Sequence, residues 1–110
     1  MTAFLSALIV VLVCLMVIWV APVQAADSVA GATVFNTNCA AYHIGGGNVV
    51  NGAKTLEADA LAQFGMDSLK AIQIQVTNDK AAMPAFKGRL TPEEIANVAA
   101  YVLNQSEKGW

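Results

Sequence analysis

The feature that most constrains this 110-residue chain is where its charges begin. Residues 1–26 carry no charged side chain; all eight acids and all six bases follow. Thr2 to Ala21 is a nearly continuous run of Leu, Val, Ile and Ala, ending at Pro22-Val23-Gln24-Ala25-Ala26-Asp27. Such a run is an address or an anchor, not part of a globular core. Val23 and Ala25 fill the −3 and −1 positions of a small-residue cleavage site. The expectation is therefore a signal peptide over residues 1–25, cut before Ala26. No Lys or Arg precedes the run, so only the N-terminal amine supplies positive charge. A retained anchor is the alternative, because about 20 apolar residues cross a bilayer. Either way, the domain of residues 26–110 sits outside the cytoplasm.

What remains is one small domain. Length excludes a second, and an ordinary share of core-forming residues argues against disorder. Six scattered bases against eight acids make no basic stripe, so no nucleic-acid partner is expected. Cys14 lies in the leader, which leaves Cys39 alone in the domain without an internal disulfide partner. A domain this short builds a modest core and usually needs a staple. With no disulfide to serve, a cofactor becomes attractive.

The pattern is helical. Residues 27–38 suit a helix capped by Asp27 or Ser28, with Val29, Ala32 and Phe35 near one face and Gly31 and Val34 beside it. The segment Cys39 to Asn51 follows, with Gly45-Gly46-Gly47-Asn48 as its loop. Thr55 to Phe64 reads as a helix capped by Thr55, with Gly65 after it. Asp67 opens a third helix with Leu69, Ile72 and Val76 on one face. Residues 80–90 lack periodicity and read as a loop. Thr91-Pro92-Glu93-Glu94 is a capping box with Pro at the first helical position. Ile95, Val98, Ala99 and Val102 then mark the buried face of a helix running to about Gln105. No long stretch alternates with period two, so the domain is expected to be all-α.

Chemistry has few carriers. His43 is the only histidine, which removes a blue-copper site. Zinc is removed too, since one Cys and one His need acids and none lies between residues 28 and 56. No G-x-S-x-G context supports a hydrolase. His43 closes C-A-A-Y-H, one residue away from the c-type haem attachment motif C-x-x-C-H. In that motif two thiols add to the haem vinyls and the His ligates the iron. Taken alone, the pentapeptide leaves bland readings open: Cys39 as a buried small hydrophobe, His43 as an ordinary histidine. Met83 shifts the balance. It sits in Ala82-Met83-Pro84-Ala85-Phe86, a loop where a helix-core role explains it poorly, and thioether opposite imidazole is a haem-iron pair of raised potential. Met66, at the Gly65-Met66-Asp67 junction, reads as a core plug. Met1 and Met16 belong to the leader.

From Ala26 to Trp110 the chain resembles the cytochrome c6 family, the small photosynthetic class I c-type cytochromes. The matching pieces are residues 31–48 (G-A-T-V-F-N-T-N-C-A-A-Y-H-I-G-G-G-N), 75–90 (Q-V-T-N-D-K-A-A-M-P-A-F-K-G-R-L), 91–103 (T-P-E-E-I-A-N-V-A-A-Y-V-L) and the terminal Lys108-Gly109-Trp110. The resemblance implies a class I cytochrome c fold, about four short helices around one haem c with the first and last helices crossing. Cys39 would be the thioether residue, His43 the proximal ligand and Met83 the distal ligand. Gln75 would lie near the haem edge, or be a solvated helix residue. Asn48 and the glycines would shape the loop against the ring, or simply reverse the chain. Gly31 and Phe35 would meet Tyr101 at the helix crossing. Arg89 would help dock photosystem I, or be a plain surface charge. The implied function is one-electron transport from the cytochrome b6f complex to photosystem I by a monomer in the thylakoid lumen or periplasm.

Tyr42 departs from the family, which has cysteine there. Only one thioether can form, and a singly attached haem with Tyr42 packed near an unreacted vinyl is expected. The phenol is bulkier than a thiol and is expected to strain the pocket. Three other readings compete with the carrier: a haem-defective scaffold, altered peroxidase-like haem chemistry if Met83 dissociates, and a thiol enzyme using Cys39 and His43.

Overall fold

The computed structural model describes residues 26–78 and 82–110; the leader of residues 1–25 lies outside them. The described chain is helical: α1 (Ser28–Asn38), α2 (Ala40–His43), a 3-10 turn (Ile44–Gly46), α3 (Ala58–Gln63), α4 (Leu69–Thr77) and α5 (Pro92–Lys108). Among the described residues there is no strand, only an isolated bridge between Lys87 and Leu90. None of their helices is long and apolar enough to cross a membrane.

The first and last helices form the frame. The Asp27 side chain caps α1 by accepting from the Val29 and Ala30 amides, and the Asp27 amide donates to Oδ1 of buried Asn97 at 2.8 Å. At Gly31 the helices approach so closely that a Cβ would fall on the Asn97 carbonyl and 2.9 Å from the Tyr101 Cβ. Phe35 and Tyr101 pack beside this crossing with ring centroids 5.2 Å apart. Helix α5 starts with the expected capping box, Thr91 and Glu94 each bonding the other's backbone. It buries Ile95, Val98, Ala99 and Val102 against Val34, Phe35, Ile72, Val76 and Phe86.

Several local expectations give way to tertiary contacts. The close approach at Gly31 turns the Gly31, Val34 and Phe35 stripe inward. Val29, two residues back and so on the opposite side of the helix, is 80% exposed. Within the segment Cys39 to Asn51, Ala40–His43 forms a helical turn. Thr55 does not cap α3, which begins three residues later at Ala58. The Leu56 carbonyl, which a helix from Thr55 would use, is taken by the Trp110 indole at 2.8 Å. Helix α4 is capped by Ser68, whose hydroxyl accepts from the Ala71 amide, not by Asp67. Leu69, the first residue of that helix, stays exposed while Ile72 and Val76 are buried. Helix α5 continues to Lys108, one turn past Gln105.

Candidate functional site

The helices leave the core open on one side. The resulting cleft has a volume of about 280 Å³, near the lower end of small-molecule sites. Its floor is the core itself: Phe35, Leu61, Ile72, Val76, Phe86, Val98 and Val102. Cys39, Tyr42, His43, Asn48, Gln75 and Met83 all line it. Cys39 comes from the end of α1, and Tyr42 and His43 follow at i+3 and i+4 on the next turn, which puts the three on one side.

His43 is half-buried, and its Nδ1 lies 2.9 Å from the Gly47 carbonyl oxygen. A carbonyl only accepts, so Nδ1 carries the proton and donates. In the neutral imidazole this leaves Nε2 with a free lone pair. Metal-ligating histidines are held in this way, by a partner on the other ring nitrogen. Met83 enters from the loop after α4, which is tied back by the Phe86 amide to the Val76 carbonyl and the Lys87 amide to the Thr77 carbonyl, at 3.0 and 3.2 Å. Its Sδ accepts a hydrogen bond from Gln75 Nε2 at 3.7 Å. Gln75 is therefore not only a solvated helix residue.

Cys39 is buried, and burial pushes its thiol from 9.0 up to about 11. A protonated thiol is a poor nucleophile, which counts against thiol catalysis. Tyr42 is 52% exposed at the edge of the cleft. Asn48 does reverse the chain: Oδ1 accepts from the Val50 and Asn51 amides and Nδ2 donates to the Lys54 carbonyl. It also borders the cleft, as does Met66, which packs against the core as well. Arg89 stands apart. Its guanidinium lies 4.8 Å over the Phe86 ring, and with Lys87 it borders a separate open groove of about 620 Å³.

Two features escaped the sequence reading. Lys54 lines the cleft with its Nζ 5.2 Å over the Phe64 ring. Trp110 folds back from the chain end onto Phe35 and Gly46. A lone terminal aromatic after a glycine was the only signal for it.

The donor set can be tested against candidate groups. Among the described residues no three His, Cys, Asp or Glu side chains gather to hold a metal ion. A bare ion at His43 would lack ligands. A flat apolar group that brings its own equatorial donors fits better. It needs an imidazole, a second soft donor, an apolar floor and a thiol for attachment, and all four line this cleft. Haem answers that description.

Residues 26–102 match the family model described as cytochrome c oxidase, cbb3-type, subunit III. A cytochrome c6 from Leptolyngbya boryana is 59% identical over 85 residues, 77% of this chain and all of that protein. The chain belongs to the cytochrome c6 family. A cytochrome c6 from Gloeothece citriformis aligns at 50% identity over all of both chains. The solved cytochrome c6 of the diatom Phaeodactylum tricornutum superposes with a TM-score of 0.75 at 58% identity, covering 76% of this chain and 99% of that one. The model's description and the relatives' names differ. Identity over a relative's full length is the more specific finding, and it favours cytochrome c6. As a cytochrome c6 the chain is an electron carrier of photosynthesis, an electron-transfer protein rather than an enzyme. Its cofactor class is covalently bound haem c, and its fold is that of class I cytochromes c.

Proposed function

We propose that this cytochrome c6 binds one haem through a single thioether at Cys39, with His43 and Met83 as axial ligands, and carries single electrons from the cytochrome b6f complex to photosystem I. The observation that carries this reading is the His43 Nδ1–H donated to Gly47, which leaves Nε2 available in the cleft that Met83 and Cys39 share. When bound, the haem supplies an iron(III)/iron(II) couple. His43 contributes a neutral, oriented imidazole. Met83 contributes a thioether, which favours the softer ferrous state and raises the potential. Gln75 holds that sulfur by its amide N–H. Two protein ligands on the iron would leave neither substrate nor O₂ a coordination site. Tyr42 would take the place of the second attachment cysteine.

The partners are membrane complexes met transiently, through the small interfaces usual for redox pairs. Arg89, exposed on the far side of Phe86, supplies one docking charge. The site of action is the thylakoid lumen, reached through a leader of residues 1–25 removed before Ala26. The full-length match of the Leptolyngbya relative to 85 residues supports that domain length. Intact mass of the exported protein tests the cut.

The carrier reading is tested by mixing reduced protein with illuminated photosystem I membranes. Oxidation in the light, with one electron per protein, is expected; protein that stays reduced overturns the reading. Tyr42 favours a second reading, a singly attached haem with impaired transfer or an opened iron. An oxidised protein lacking the methionine–iron charge-transfer band supports that alternative.

A further inference from the structure

We propose that Trp110, the C-terminal residue, is a positioning residue for His43, acting through the Gly46–Gly47 turn. The inference rests on the reading of His43 as an axial ligand.

A continuous chain of contacts connects the two side chains. The indole Nε1–H donates to the Leu56 carbonyl at 2.8 Å. The Leu56 amide donates in turn to the Gly46 carbonyl at 2.7 Å. The indole ring also lies flush against Gly46, where a Cβ would fall on its ring atoms. Gly46 has φ +77°, a left-handed conformation that favours glycine in any case. The next residue, Gly47, presents the carbonyl that accepts from His43 Nδ1. Trp110 thus grips both ends of the segment that carries this acceptor.

The indole has its own anchor. Its centroid is 5.4 Å from that of Phe35 and 6.0 Å, edge-on, from that of Tyr101. Those rings pack where α1 crosses α5. Gly109, at φ +91°, turns the chain back after α5, and its carbonyl is held by Gln105 Nε2 at 2.9 Å. Ile44 and Gly45, by contrast, are exposed and give the turn no purchase on the core. The imidazole's acceptor is therefore referenced to the helix crossing through the last residue of the chain.

The test uses the holoprotein and two variants, Trp110→Phe, which keeps a ring and loses the donor, and Trp110→Ala. In the oxidised state the spread of haem-methyl proton shifts reports the orientation of the axial imidazole. Both variants are expected to change that spread and to shift the reduction potential, Phe less than Ala. Trp110→Phe removes the donor to the Leu56 carbonyl and loosens the segment, so exchange of the Leu56 amide, which donates to Gly46, is expected to accelerate severalfold, up to about tenfold. A fall in Tm with methyl shifts and potential unchanged overturns the proposal and leaves Trp110 a packing residue. If Trp110→Ala fails to hold haem, Trp110→Phe alone decides by the same readouts. His43→Ala distinguishes the two layers of argument: a wild-type low-spin spectrum in that variant removes His43 as ligand and the proposal with it.

Discussion

His43 Nδ1 and the Gly47 carbonyl oxygen are 2.9 Å apart, four residues apart in the chain. This short-range contact sets which imidazole nitrogen is free. It therefore links a glycine loop to the chemistry of the cleft.

The first prediction concerns attachment. With Cys39 the one cysteine in the domain, a pyridine haemochrome is expected to have its α band between those of two-thioether haem and free protohaem. Tyr42→Cys restores the second link and is expected to move the band to the two-thioether position. A wild-type band already at that position contradicts single attachment.

The second concerns the helix crossing. A methyl at position 31 meets the Asn97 backbone. Neither helix can retreat without opening the Phe35–Tyr101 contact. Gly31→Ala is expected to cost about 1–3 kcal/mol, a drop of roughly 4–8 °C in Tm per kcal/mol for a domain of this size. An unchanged Tm in thermal denaturation argues against the close approach.

The third concerns the start of α5. Thr91→Ala removes the hydroxyl that accepts from the Glu94 amide and is expected to cost about 1 kcal/mol. Because Thr91 lies outside the cleft, the reduction potential should stay at the wild-type value. Voltammetry and urea titration on the same sample separate the two effects.

The fourth concerns pH. In haem-free protein Cys39 is an unattached thiol, pushed by burial from 9.0 up to about 11. The folded state then holds the proton more tightly than the unfolded state. Its contribution to stability is complete below pH 9.0 and is lost as pH rises towards about 11. Urea midpoints of haem-free protein should fall across that window. Protein with a thioether at Cys39 has no thiol to titrate and should lack this fall. Equal profiles for the two forms contradict the assignment of the thiol.

Much of the fold is legible in the sequence because its signals are local. Thr91, Pro92 and Glu94 specify a helix start within four residues, and the structure shows that start unchanged. The cleft is legible for a different reason. Cys39 and His43 are one helical turn apart, and Met83 stands out as a thioether in a loop. The failures trace to contacts across the chain. Thr55 looks like a cap until Trp110, far away in sequence, takes the Leu56 carbonyl. Val29 looks like a core residue until Gly31 decides which side of α1 meets α5. Trp110 stands in the sequence only as a terminal aromatic after a glycine, and its packing role is not legible because its partners lie in α1, α5 and the glycine turn.

The central claim is that His43 and Met83 face one haem iron from its two sides. Proton NMR of the reduced protein tests it most directly. A methionine methyl bound over the ring lies in the ring current and resonates far upfield of all other methyls. One such resonance is expected in the wild-type protein, lost in Met83→Ala and retained in Met66→Leu. A spectrum with no upfield methyl, or one whose upfield methyl survives Met83→Ala, contradicts the account.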